Sequence, residues 1–136
     1  MTETLSTIGH NLSLLNSQIE QACKIYQKDK SKVHLITVSK TQTAEKICEA
    51  IEQGSTIFGE NYIKESEEKW PAILERNPEV KLHFIGHLQS NKAANAVKLF
   101  DCIQTLDSEK LALALKKESA KQNKNIEIFI QVNISE

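Results

Sequence analysis

Five short apolar runs rich in β-branched residues begin near positions 33, 56, 82, 101 and 126, and a stretch of helical periodicity separates each from the next. This rhythm is the tightest constraint on the fold. Strands that alternate with helices are joined by right-handed crossovers, which makes neighbouring strands parallel. The first run, Val33-His34-Leu35-Ile36-Thr37-Val38-Ser39, is nearly continuous in apolar character, as suits a parallel strand covered on both faces. Lys40 follows it directly and therefore sits at the carboxyl end of the strand, the end at which α/β folds bind ligands. Partial desolvation in such a crevice favours the neutral amine, the form that condenses with a carbonyl. Taken alone, the stretch is more simply read as ending in a solvated loop lysine.

Along the chain, residues 4–29 show helical spacing, with Leu5, Ile8, Leu12, Leu15, Ile19, Ala22, Cys23 and Tyr26 forming an apolar stripe that needs a neighbour. Thr43 can cap a helix to about residue 53, with Ile47, Ala50 and Ile51 inward and Gly54 as its stop. The strand Thr56-Ile57-Phe58 leads through Gly59-Glu60-Asn61 into a helix with Glu/Lys pairs on its outer side. Pro71 is expected to interrupt that helix, because proline removes a hydrogen bond and clashes with the preceding turn. A third strand, 81–85, ends at Gly86-His87; Ser90 or Asn91 can cap a helix with Ala93, Ala94, Ala96, Val97 and Phe100 inward. The fourth strand, 102–105, reaches Asp107-Ser108 and a helix bearing Leu111, Ala114 and Leu115. In the fifth, 126–134, Ile126, Ile128, Ile130, Val132 and Ile134 alternate. Every strand hands over to polar or small residues at the same end of the sheet, and several such clusters on one rim suggest a site.

Charge excludes some functions. Across 136 residues, 17 basic side chains balance 18 acidic ones, which offers no general attraction to nucleic acid or an anionic membrane. No run is long enough to span a bilayer and no apolar signal core opens the chain, so a cytoplasmic protein is expected. Cys23, Cys48 and Cys102 match no zinc or redox spacing and read as reduced thiols. His83 and His87 lie four apart, about 13 Å on a strand, too far to share a metal unless the chain turns at Gly86.

Four stretches carry a family resemblance: Leu35-Ile36-Thr37-Val38-Ser39-Lys40-Thr41, Phe58-Gly59-Glu60-Asn61-Tyr62, His83-Phe84-Ile85-Gly86-His87-Leu88-Gln89-Ser90-Asn91-Lys92 and Ile130-Gln131-Val132-Asn133-Ile134. In order and spacing they resemble the pyridoxal phosphate homeostasis proteins, and the third stretch is the most specific. The resemblance implies an α/β fold: a partial TIM (β/α) barrel, alanine racemase-like, with five parallel strands and an extra N-terminal helix. It covers residues 1–136 as a single domain, about the first three-fifths of the family's usual length. It also implies pyridoxal 5′-phosphate as cofactor, held by Lys40 as an internal aldimine, with Asn61 beside the ring. His87 is a third candidate cofactor-binding residue, although an imidazole satisfied by a neighbouring backbone group suits it equally. Gly59 and Gly86 are expected to allow tight exits from their strands.

The function so implied is a non-catalytic carrier or regulator of the cofactor in vitamin B6 and amino-acid homeostasis, with no metal, no nucleic acid and no membrane involved. A racemase-like enzyme on the same barrel is one alternative. A small flavodoxin-like binding domain is another, since five βα units make a complete fold of that kind. The family's phosphate-gripping loops correspond to positions beyond residue 136. A chain of this length alone is therefore expected to retain cofactor weakly and to self-associate through the open edges of its first and fifth strands.

Overall fold

The computed structural model describes residues 6–135. α1 (Thr7–Ile25) precedes β1 (Thr37–Val38), after which helix and strand alternate: α2 (Ala44–Glu52), β2 (Ile57–Glu60), α3 (Ile63–Arg76), β3 (Lys81–Phe84), α4 (Ala93–Leu99), β4 (Cys102–Leu106), α5 (Glu109–Gln122) and β5 (Glu127–Ile130). Among the described residues the five strands form one sheet in the order β1-β2-β3-β4-β5, each neighbouring pair parallel. That order decides the fold. A doubly wound sheet reverses its strand order and carries helices on both faces. Consecutive order with crossovers of one hand puts every helix on one face, as in the wall of a (β/α) barrel. The flavodoxin-like alternative is thereby excluded.

The covered face holds the core. Phe58, Leu82, Phe84 and Ile103 from the strands join Trp70, Ile73, Ala96, Val97, Phe100, Leu111 and Leu115 from the helices in one buried cluster. Trp70 meets Phe58 at 5.2 Å between ring centres, and Phe84 meets Phe100 edge-on at 5.1 Å. On the other face Ile36, Ile57, His83, Ile85 and Gln104 are only part-buried and stand outside that cluster. Gly59 lies on this second face, where an added Cβ would sit 3.0 Å from both Ile36 and Ile85. Side chains from alternate strands thus close over a small residue between them, which is how barrel interiors are layered. Gly59 belongs to β2 and makes room for that layer; it is not the strand exit the sequence suggests.

Several local expectations change. α1 ends at Ile25, and Leu15, Ala22 and Tyr26 are exposed because the helix leans on α2 and the 3₁₀ turn Lys30–Lys32 and not on the sheet. Leu5 lies outside the described residues. Pro71 does not break α3, which runs through it. Pro71 and Glu67 are both exposed, so water can satisfy the carbonyl left without a donor, while Trp70, fully buried, anchors the same turn. Neither Ser90 nor Asn91 caps α4 with its side chain; a 3₁₀ turn over Ser90–Lys92 leads into it, and this phase leaves Ala94 exposed. Thr43 and Ser108 do cap α2 and α5 through their side chains, and Gly54, at φ +97°, follows α2. β1 pairs only over Thr37–Val38, since β2 opposite it begins at Ile57. β5 pairs only over Glu127–Ile130; beyond it Val132 and Ile134 are 71% and 95% exposed, with no strand against them among the described residues. No helix among the described residues is long and apolar enough to cross a membrane.

Phe100 is fully buried where α4, α5 and the sheet meet. Phe100→Ala is expected to lower unfolding free energy by about 3–5 kcal/mol, read as a lower urea midpoint with little change in slope; an unchanged midpoint contradicts this placement of the core.

Candidate functional site

The carboxyl end of β1 turns back on itself. The Gln42 amide donates to the Ser39 carbonyl at 3.1 Å, which makes Ser39–Gln42 a β-turn with Lys40 and Thr41 at its centre. Thr41 has φ +61°, a left-handed conformation that a β-branched residue resists at roughly 1–3 kcal/mol. Contacts from α3 hold the strained turn. The Thr41 amide donates to Glu65 Oε1 at 2.7 Å, and Lys69 Nζ donates to the carbonyls of Ser39 and Gln42 at 3.1 and 3.3 Å. Lys69 also pairs with Glu65 at 2.9 Å.

Beneath the turn lies a buried carboxylate. Glu60, at the end of β2, is 0% exposed; its Oε1 accepts from Ser39 Oγ at 2.7 Å and Trp70 Nε1 at 2.9 Å and faces Lys69 Nζ at 2.8 Å. Burying two charges is costly unless they meet in good geometry, and these do. Burial pulls the Lys69 pKa down, but hydrogen bonds and charge from Glu60 and Glu65 outweigh it, so the pKa is raised and the ammonium persists. Glu60 Oε2 is buried with no hydrogen-bond partner among the described residues. The Glu/Lys pairs of α3 were expected on its outer side. Lys69 instead reaches inward, because four carbonyl and carboxylate oxygens converge there.

Asn61 comes next after Glu60, and its Oδ1 is likewise buried without a partner among the described residues. Gly86, at the exit of β3, is what admits it: an added Cβ would lie 2.6 Å from the Asn61 carbonyl oxygen and 2.7 Å from its Cβ. Asn61 and His87 line one cleft of about 290 Å³ with Tyr62, Phe84, Leu88 and Lys92. The His87 ring is three-quarters exposed and stands 3.9 Å from Asp107, so the pocket wall describes it better than a core imidazole does. His83 is elsewhere: it bonds Gln104 at 2.9 Å on the uncovered sheet face, and burial lowers its pKa against the opposing charges of Glu127 and Asp101.

Lys40 sits on the same rim. The Ser39 amide donates to the Gly59 carbonyl at 3.0 Å, and the Ser39 hydroxyl to Glu60, so Lys40 and Asn61 each follow a residue tied to the other's strand. Lys40 is exposed, and its ammonium has no hydrogen bond or ion pair among the described residues. The described residues form no enclosing crevice around Lys40, and Lys40 does not line the cleft shared by Asn61 and His87. A larger cavity, about 570 Å³, flanks β1 between α1 and α2; Ser39 and Gln42 line it, but neither Lys40 nor Asn61 does. Its accessible wall is mainly apolar, with Thr37, Ser39, Gln42, Lys46 and Glu49 among the residues that line it. Among the described residues no group of three or more His, Cys, Asp or Glu side chains could hold a metal. Sequence reading missed Glu60, Glu65 and Lys69 as one unit. The i,i+4 spacing of Glu65 and Lys69 was visible, but only packing brings Glu60 to meet them.

The hydrogen bond from Lys69 holds the Glu65 carboxyl below its ordinary value of 4.5, with burial opposing and the Thr41 amide helping. A carboxylate with a depressed folded pKa contributes its full stability above the unfolded value and loses it as pH falls through the folded one. Acidification below about pH 4.5 is thus expected to release the turn, read as faster hydrogen exchange at the Thr41 amide while Phe58 stays protected. Simultaneous loss at both amides refutes a locally held turn. Gly86→Ala is expected to displace Asn61 and to destabilise by about 1–3 kcal/mol, checked by thermal unfolding and by the Asn61 side-chain resonances.

Over residues 4–135 the sequence matches the family described as the alanine racemase N-terminal domain. A pyridoxal phosphate homeostasis protein of Haemophilus influenzae is 40% identical over 129 residues, spanning 95% of this chain and 54% of that protein. The corresponding protein of Pasteurella multocida is 39% identical over 130 residues, spanning 96% and 56%. A structure of PipY from Synechococcus elongatus with PLP bound superposes with a TM-score of 0.74 at 35% identity, covering 86% of this chain and 55% of that one. A Bifidobacterium adolescentis structure, at 24% identity and TM-score 0.83, shows the shared fold. The chain thus spans about half the length of the curated relatives it matches. Its strand order, its one-sided helical cover and this match over nearly every residue agree: the chain belongs to the alanine racemase N-terminal domain family.

Proposed function

We propose that this chain provides the lysine-bearing part of a pyridoxal 5′-phosphate site in a protein of vitamin B6 homeostasis. The observation that carries the reading is the tethering of two adjacent strand ends, which sets Lys40 on a braced turn beside Asn61 and its unpartnered buried oxygen. The relatives named as pyridoxal phosphate homeostasis proteins and the PLP-bound PipY structure support it. The residues present suit the group. Lys40 offers an amino group that no group among the described residues engages, Asn61 an unpartnered buried Oδ1, and the neighbouring cleft walled by Tyr62, Phe84 and His87, which Asn61 lines and Lys40 does not, a place for a flat ring. When bound, the cofactor would supply a reactive aldehyde, and Lys40 would be the residue that holds it through its amino group.

In this reading the protein stores or delivers the cofactor and turns over no substrate. Holding the reactive aldehyde reversibly at one lysine would be enough to buffer it. Asn61 would orient the bound group, and His87 would border it.

Borohydride reduction in the presence of excess pyridoxal 5′-phosphate, followed by peptide mapping, tests the reading. The expected adduct lies on the peptide containing Lys40, and Lys40→Ala removes it. An adduct spread evenly over exposed lysines such as Lys117, with no preference for Lys40, would falsify the proposal. The non-catalytic part is checked separately: the purified protein incubated with the cofactor and L-alanine is expected to produce D-alanine no faster than free cofactor does.

A further inference from the structure

We infer that Lys69 is a positioning residue for Lys40: together with Glu60 and Glu65 it clamps the Ser39–Gln42 turn in the one arrangement that presents the Lys40 amine at the strand-end rim. The inference rests on the function just proposed, since it concerns how the amine of that site is held. Three observations carry it. The turn includes a threonine at φ +61°, a conformation that the local sequence does not favour and that surrounding contacts must impose. Those contacts come from one helix: Glu65 takes the Thr41 amide, and Lys69 takes the carbonyls of Ser39 and Gln42, the residues that bracket Lys40 and Thr41. Lys69 is itself fixed from below by Glu60, a wholly buried carboxylate that also receives the Ser39 hydroxyl.

The division of labour is unusual for lysines. Lys69 is held at 10% side-chain exposure and spends its three donor protons on oxygens of the clamp, whereas Lys40, on the clamped segment, has none of its protons engaged among the described residues. An ammonium with three donors suits a site of several converging oxygens. Its charge also balances the buried Glu60, so the clamp cannot slacken without leaving a carboxylate unpaired. Lys69 never touches the cofactor. It acts by keeping the turn from sampling conformers in which Lys40 points elsewhere.

If the clamp holds one conformer where a loose turn has about ten, releasing it lowers the apparent imine constant at Lys40 about tenfold. Two variants test this. Lys69→Met combined with Glu60→Gln removes both buried charges together, and Glu65→Gln weakens the clamp at a partly exposed position. In each, the ratio of borohydride-trapped adduct at Lys40 to that at the exposed Lys117 is compared with the unaltered protein. Hydrogen exchange at Thr41 and Phe58 is followed in parallel. The expected result is a fall of about tenfold in the ratio for the double variant and a smaller fall for Glu65→Gln. Thr41 exchanges faster in both, while Phe58 is unaffected. An unchanged ratio in folded variants overturns the inference, as does a fall that occurs only together with lost protection at Phe58. If the double variant does not fold, Glu65→Gln decides by the same criteria. The two readings part cleanly: no preference for Lys40 in the unaltered protein defeats the proposed function and this inference with it, whereas a preference that survives both variants defeats this inference alone.

Discussion

The carboxylate of Glu60 ties the molecule together where its function is proposed to lie. One oxygen takes the hydroxyl of Ser39 just past β1, the indole of Trp70 from α3 and the ammonium of Lys69, so two strand ends and a helix converge on a single buried atom. A charge without solvent is tolerable only when it is paired and hydrogen-bonded, so each of these partners is constrained by the others. Trp70 carries the constraint into the core through Phe58, and Lys69 carries it outward to the turn. Core packing and the geometry of the rim are therefore one mechanical system.

Sheet order sets what that system can be used for. Consecutive parallel strands place all the helices on one face and all the strand-to-helix turns on one rim. Ser39, Glu60, Asn61, Gly86 and His87 come from three separate stretches, yet they meet because each ends a strand at that rim. The uncovered face has its own layer, in which Ile36 and Ile85 close over Gly59 and His83 bonds Gln104. Glycine is needed at two of these places for different reasons: Gly59 yields space to side chains, Gly86 to the backbone of Asn61.

Much of this was legible in the residues. The apolar runs and helical spacings marked all five strands and helices, and Thr43, Gly54 and Ser108 marked helix limits because caps act through local hydrogen bonds. The four motif stretches led to the family before any packing was known. Illegible features depended on neighbours. The exposed side of α1 reflects its position over α2 beyond the sheet, and the survival of α3 through Pro71 reflects an anchored Trp70 with exposed surroundings. The shortness of β1 and β5 reflects where their partners begin and end, which no periodicity in their own sequence records.

By itself the sequence determined which segments are strands, which are helices, that neighbouring strands run parallel, and which residues end them, since these follow from side-chain period and local hydrogen bonding. Only the tertiary structure decided that Lys69 turns inward to the buried Glu60 and that Lys40 stays solvent-exposed on a braced turn. The reason is physical. A charged side chain goes where opposite charge and acceptors converge, and residues 39, 42, 60, 65 and 69 converge only once β1, β2 and α3 have packed together.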